Sequence, residues 1–134
     1  MLVRLMPQQG GDGTVHRISV INDTGSSLLT LFDTDMLLLG NLPGYTGWHG
    51  NVTVRNASGT KTRYRRLSVQ VQLVRDDNSP WSNWYNDDAV VKPASQGVPR
   101  LSGNGIRRVL YLGTAPGNHL LAVAATKGGM TSLL

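Results

Sequence analysis

The 134-residue chain has no cysteine, which excludes disulfides, thiolate metal centres and a thiol nucleophile and agrees with a reducing compartment. It has no glutamate either: all eight acidic residues are Asp. Strong helix formers are therefore scarce, and sixteen glycines and six prolines interrupt helices further. Long apolar runs are also missing. The longest, LLAVAA at 120–125, is too short to span a bilayer. The opening MLVRLMPQQGG is apolar over too few residues for a secretory signal. These absences point to a soluble intracellular, cytoplasmic domain, or a domain cut from a larger chain, with no membrane partner. What is present, chiefly Val, Thr, Leu and Tyr among turn residues, favours an all-β fold in a single domain over 1–134. The net charge of +5 suits nucleic acid or acidic peptides, but at this size solubility is the favoured reading.

Alternation and turn residues place the elements. MLVRLM reads as a terminal strand, VHRISVI as a second strand and SLLTLF as a third. DTDMLLLGNLPG is a short helix or turn closed by Gly40 and Pro43. Two alternating runs flank Ser58-Gly59 and predict a β-hairpin, with a flap-like portion over about 52–66. Leu67, Val69, Val71 and Leu73 share one strand face, and the same face carries Lys61, Arg63 and Arg65 further back. A strand buried at one end and projecting into water at the other has this pattern. RDDNSPWSNWYNDD reads as a long loop whose Trp81 and Trp84 pack or meet a partner. AVVKP, IRRVLYLG, NHLLAVAATK (as strand or helix) and GGMTSLL supply the later elements, with a break at Thr114-Ala-Pro-Gly.

A polar segment, Asn22-Asp-Thr-Gly-Ser-Ser27, interrupts the apolar runs around it. Alone, Asp23-Thr24-Gly25 is an ordinary turn. With Ile18-Ser-Val-Ile before it and Ser26-Ser-Leu-Leu-Thr-Leu-Phe after it, the segment resembles the catalytic loop of aspartic peptidases. The hairpin Val54-Arg-Asn-Ala-Ser-Gly-Thr resembles the flap of the retropepsin-like members, and Val109-Leu-Tyr-Leu-Gly113 resembles the apolar-apolar-Gly segment that crosses behind their catalytic loop. The resemblance covers roughly 15–115. It departs from the family at Asn22, where an apolar residue is usual, and after Gly113, where a helix commonly begins.

The resemblance implies a retropepsin-like acid protease barrel with one lobe per chain. It also implies an aspartic endopeptidase of the kind encoded by retroelements or domesticated from them, cutting peptides or polyproteins without metal or cofactor. Such chemistry needs two carboxylates sharing a proton, one activating water and the other polarising the carbonyl. The chain has one Asp-Thr-Gly, and Asp33-Thr-Asp35 lacks the glycine of a second. A C2 homodimer with Asp23 of each protomer on the axis is the physical solution. Two carboxylates about 4 Å apart repel by roughly 4 kcal/mol at an effective dielectric near 20, so one proton is retained over a broad pH range. In this reading Thr24 bonds across the axis, Gly25 permits close approach and the Ser26 hydroxyl donates to Asp23. Ala57, Ser58 and Gly59 form the flap tip, Leu112 and Gly113 lie behind the loop, and the basic stem Lys61–Arg66 suits acidic or extended substrates.

The competing reading is a catalytically inactive dimerisation or nucleic-acid-binding module on the same fold, with Tyr64 inside a basic run. His16, His49 and His119 lie far apart and lack metal-ligand spacing. GNG at 103–105 and GTAPG lack the lysine of a phosphate loop.

Overall fold

The computed structural model describes residues 1–40, 42–114 and 121–133. These form mostly β-strands with few, short helices. The chain divides into two compact units, Met1–Asn104 and Gly105–Leu134. The first holds a six-stranded sheet built from β1 (Leu2–Leu5), β2 (Val15–Arg17), β3 (Leu29–Phe32), β4 (Trp48–Arg55), β5 (Lys61–Gln72) and β6 (Tyr85–Lys92). Its order is β2-β1-β5-β6-β3, with β4 also on β5.

The twelve-residue β5 organises this sheet. One edge pairs with β6 throughout. The other is shared end to end: β4 takes the first half, down to Trp48 opposite Leu67, and β1 takes the second, from Leu5 opposite Val69. The predicted face is borne out except at Leu73, which follows the end of β5 and is half-buried. Leu67, Val69 and Val71 are fully buried, while Lys61, Arg63 and Arg65 are exposed. Burying a Val or Leu contributes about 1.5–3 kcal/mol, and Val3, Leu5 and Ala89 cover the same three residues across the ladder. The outer half of the β4–β5 hairpin has no such cover and stands in water, closed by a turn in which Gly59 adopts φ +85.

Strand β3 runs parallel to β6 and all four of its residues are buried, as expected for a strand covered on both faces. It enters helix α1 (Asp33–Met36), the short element expected there, and Gly40 closes the following turn at φ +87. Tyr45 is buried beneath the junction of β4, β5 and β1. Its hydroxyl donates to the Ser68 carbonyl at 2.5 Å and accepts from the Met6 N–H at 3.0 Å.

Several expectations are corrected. Strand β6 begins at Tyr85, so the loop after β5 is shorter than its composition suggests. The run read as a strand over IRRVLYLG opens as a 3-10 turn at Ile106–Arg108, and only β7 (Tyr111–Thr114) is extended. In the second unit β7 pairs antiparallel with β8 (Leu121–Ala124). The expected terminal strand over GGMTSLL is instead helix α2 (Lys127–Leu133). The Thr126 hydroxyl accepts the Gly129 N–H at 3.0 Å, and this capping bond offsets the poor helix propensity of two glycines. Residues 115–120, including most of the expected break and His119, lie outside the described residues. Among the described residues no helix is long and apolar enough to cross a membrane.

Candidate active site

The polar segment between β2 and β3 forms a loop whose two legs clasp a third piece of chain, residues 100–104. On the leading leg, the Ile21 N–H donates to the Arg100 carbonyl at 2.8 Å and the Ser102 N–H donates to the Ile21 carbonyl at 2.9 Å. On the trailing leg, the Thr30 N–H donates to the Leu101 carbonyl at 2.9 Å and the Asn104 N–H to the Ser27 carbonyl at 3.2 Å. The fully buried Ser102 hydroxyl accepts the Asp23 N–H at 3.0 Å. The distant segment 100–104 thus fastens both legs of the loop and the backbone of Asp23.

Within the loop the Ser26 N–H donates to the Asp23 carbonyl at 3.1 Å, closing a tight turn with Thr24 exposed at its apex. The Gly25 N–H donates to Asp23 Oδ1 at 2.9 Å. A side chain on Gly25 would place its Cβ 3.3 Å from that oxygen, so the glycine allows the close approach expected of it. The Ser26 hydroxyl departs from the donation to Asp23 suggested by sequence: its single proton is directed at the Leu28 carbonyl, 2.8 Å away. Beside Asp23, Asn22 buries its Oδ1 with no donor among the described residues. An unmade bond of that kind costs about 1–3 kcal/mol.

The segment behind the loop is Leu101-Ser102-Gly103. Leu112 and Gly113, assigned that place by sequence, lie in β7 of the second unit. Gly103 has no room for a side chain: a Cβ there would come within 2.7 Å of the Leu29 N and the Asp87 carboxylate. A 3-10 turn begins at Ile106, soon after Gly103.

The hairpin and the loop line one cleft of about 520 Å³. Asp23, Gly25 and Ser26 lie on one side, Val52–Ala57 on the other, and Thr30 and Val90 are among its lining residues. Ala57 belongs to this lining, whereas Ser58 and Gly59 form the tip beyond it. Asn56 shapes the tip. Its Oδ1 accepts from the Ser58 N–H (3.1 Å), the Ser58 hydroxyl (2.7 Å) and the Thr60 N–H (2.9 Å). The cations of Lys61–Arg66 do not line the cleft; its basic residues are Arg55 and Lys92, neither of which sequence singled out.

A second cluster braces the same segment. Buried Asp35 accepts from Arg100 Nε and Nη2, both at 2.8 Å, from the Phe32 N–H at 2.8 Å and from His16 Nε2 at 3.0 Å. Burial by itself disfavours the carboxylate charge, but Arg100, the Phe32 N–H and His16 outweigh it and hold Asp35 below the ordinary carboxylate range. Arg100 also lies over the Phe32 ring at 4.7 Å. With Asp35 committed to four donors, it carries structure, and Asp23 is the carboxylate presented to the cleft.

No protein-family model, curated protein or solved structure matches this chain.

Proposed function

We propose that the chain is a retropepsin-like aspartic endopeptidase, one lobe of a homodimer whose two Asp23 side chains meet on the two-fold axis. The observation that carries this reading is the shared cleft. A half-exposed Asp23, on a loop fastened from behind by residues 100–104, faces a projecting hairpin across a cleft of about 520 Å³. An isolated structural turn has no need of a buried serine on its backbone N–H or of a hairpin opposite it. In the dimer one carboxylate takes a proton from water as the water oxygen attacks the scissile carbonyl. The other, protonated, donates to the carbonyl oxygen; collapse of the tetrahedral intermediate breaks the C–N bond and a proton passes to the leaving amine. Thr24, exposed at the apex, is placed to meet the partner's loop, and the hairpin closes over the substrate.

The test is cleavage of a peptide library by wild type and by Asp23→Asn, with a pepstatin-like inhibitor as control. Wild type should cleave and be inhibited. Asp23→Asn should be inactive yet folded, because it keeps the side-chain shape and removes the shared proton. Full activity in Asp23→Asn would reduce the motif to a turn.

A second reading has its own observation. Lys61, Arg63 and Arg65 stand exposed along β5, and Arg65 lies over the Trp48 ring at 3.7 Å. A nucleic-acid module would use these cations, and its affinity would fall steeply with salt. Tight oligonucleotide binding that survives Asp23→Asn, in a protein without proteolysis, favours it.

A further inference from the structure

The cleft carries an uneven charge. Arg55, at the end of β4, and Lys92, at the end of β6, both line it, and Asp23 is the single acid among its lining residues. Per protomer this is two positive charges against at most one negative, and a dyad that shares a proton reduces the negative share further. Among the described residues neither Arg55 nor Lys92 has a carboxylate partner at ion-pair distance. Lys92 is half-buried, with its ammonium 5.4 Å from the Tyr64 ring, so a placed cation is held at one end of a partly apolar trough.

The sheet register explains why Lys92 points there. Residues two apart on a strand share a face, so Lys92 lies on the face of Val90, about 6.6 Å further along β6. Val90 and its partner Thr30 are both nearly inaccessible and line the cleft. Directly paired residues also share a face. Tyr64 opposite Val52 therefore lies on the cleft side of the hairpin, and Arg63, Arg65 and Arg55, which stands opposite Lys61, on the other. The alternation that turns most of the basic run away from the cleft is the same alternation that brings Lys92 into it.

We propose that Lys92 forms a subsite for an acidic side chain, so that the preferred substrates are peptides with Glu or Asp close to the scissile bond. This rests on the endopeptidase reading for its chemistry but is separable from it by experiment. A partly exposed ion pair changes an equilibrium by about two- to fivefold, so Lys92 predicts a preference of about two- to fivefold for Glu over Gln at one peptide position.

The experiment compares peptides of one backbone carrying Glu, Gln or Lys, scanned position by position, in two assays. The first is kcat/KM of wild type, Lys92→Glu, Lys92→Met and, as a control on the far face of the hairpin that should keep the preference, Arg55→Gln. The second is binding of the same fluorescent peptides to folded Asp23→Asn protein by anisotropy. Wild type should favour Glu at one position, with the preference shrinking as salt rises. Lys92→Met should abolish most of that preference, and Lys92→Glu should reverse it toward Lys, which a general loss of packing does not do. If Lys92→Glu does not fold, Lys92→Met carries the test. Cleavage without charge preference, or a Glu preference unchanged in the Lys92 variants, overturns the subsite and leaves the endopeptidase. Glu-dependent binding to Asp23→Asn without cleavage by wild type overturns the endopeptidase and leaves an acidic-peptide cleft. Neither cleavage nor peptide binding, with oligonucleotide binding instead, overturns both.

Discussion

Replacing Asp35 by Asn removes one charge and keeps the shape, and the geometry sets the cost. Every neighbour of the carboxylate is a donor: two guanidinium N–H groups, a backbone N–H and an imidazole N–H. An amide has one oxygen, so its NH2 group must face donors in either orientation. With the oxygen kept toward Phe32 N and Arg100 Nε, the amide nitrogen opposes Arg100 Nη2 and His16. Removing one member of a buried ion pair costs about 3–5 kcal/mol. Because the Arg100 and His16 side chains retain 22% and 20% of their exposure, the expected loss lies below that range, about 2–3 kcal/mol. Urea unfolding at neutral pH measures it, and a double-mutant cycle with Arg100→Met should return a coupling of at least about 1 kcal/mol. The cost should also depend on pH. The folded-state pKa of Asp35 is depressed, so its stabilisation is complete above the ordinary carboxylate value near 4 and is lost as pH falls through the folded value. The difference between wild type and Asp35→Asn should therefore narrow in strong acid. Since Arg100 leads directly into Leu101-Ser102-Gly103, cleavage should fall in the variant even where the protein stays folded. A variant within about 0.5 kcal/mol of wild type at neutral pH would refute the reasoning.

Other perturbations test the remaining supports. Gly103→Ala should destabilise by about 2 kcal/mol, since backbone and carboxylate atoms stand where its Cβ would go; thermal unfolding checks this. Tyr45→Phe leaves the Met6 N–H and the Ser68 carbonyl without their hydroxyl partner and should cost about 1–3 kcal/mol in a denaturation series. Asn56→Ala should speed amide exchange at Ser58 and Thr60 by about tenfold while global stability barely changes, because the tip it organises is exposed. Specific activity should fall on dilution as the proposed homodimer separates, with sedimentation reporting the same transition; a monomer with constant specific activity would exclude the shared site.

The hairpin was legible because alternation and a turn dipeptide are local. Leu67, Val69 and Val71 bury the face they were expected to bury. The single Asp-Thr-Gly was legible as a polar break between apolar runs. The C-terminal end of the chain was not. Lys127–Leu133 is helical although two glycines oppose it, because a threonine cap and packing outweigh propensity. Leu112 and Gly113 match the apolar-apolar-Gly pattern better than Leu101-Ser102-Gly103, whose middle residue is polar, and long-range hydrogen bonds rather than the pattern chose the segment that meets the loop.

The sequence by itself determined a β-rich chain with one candidate carboxylate, a projecting basic hairpin and no thiol chemistry, since composition and periodicity are properties of neighbouring residues. Tertiary structure decided the rest. Hydrogen bonds spanning some eighty residues chose Ser102 to hold the Asp23 backbone. A close approach without room for a Cβ required Gly103. Strand register decided that Lys92, rather than Arg63 or Arg65, faces the cleft. Each outcome depends on which distant segments pair and in what register, and a one-residue slip would turn every side chain to the opposite face.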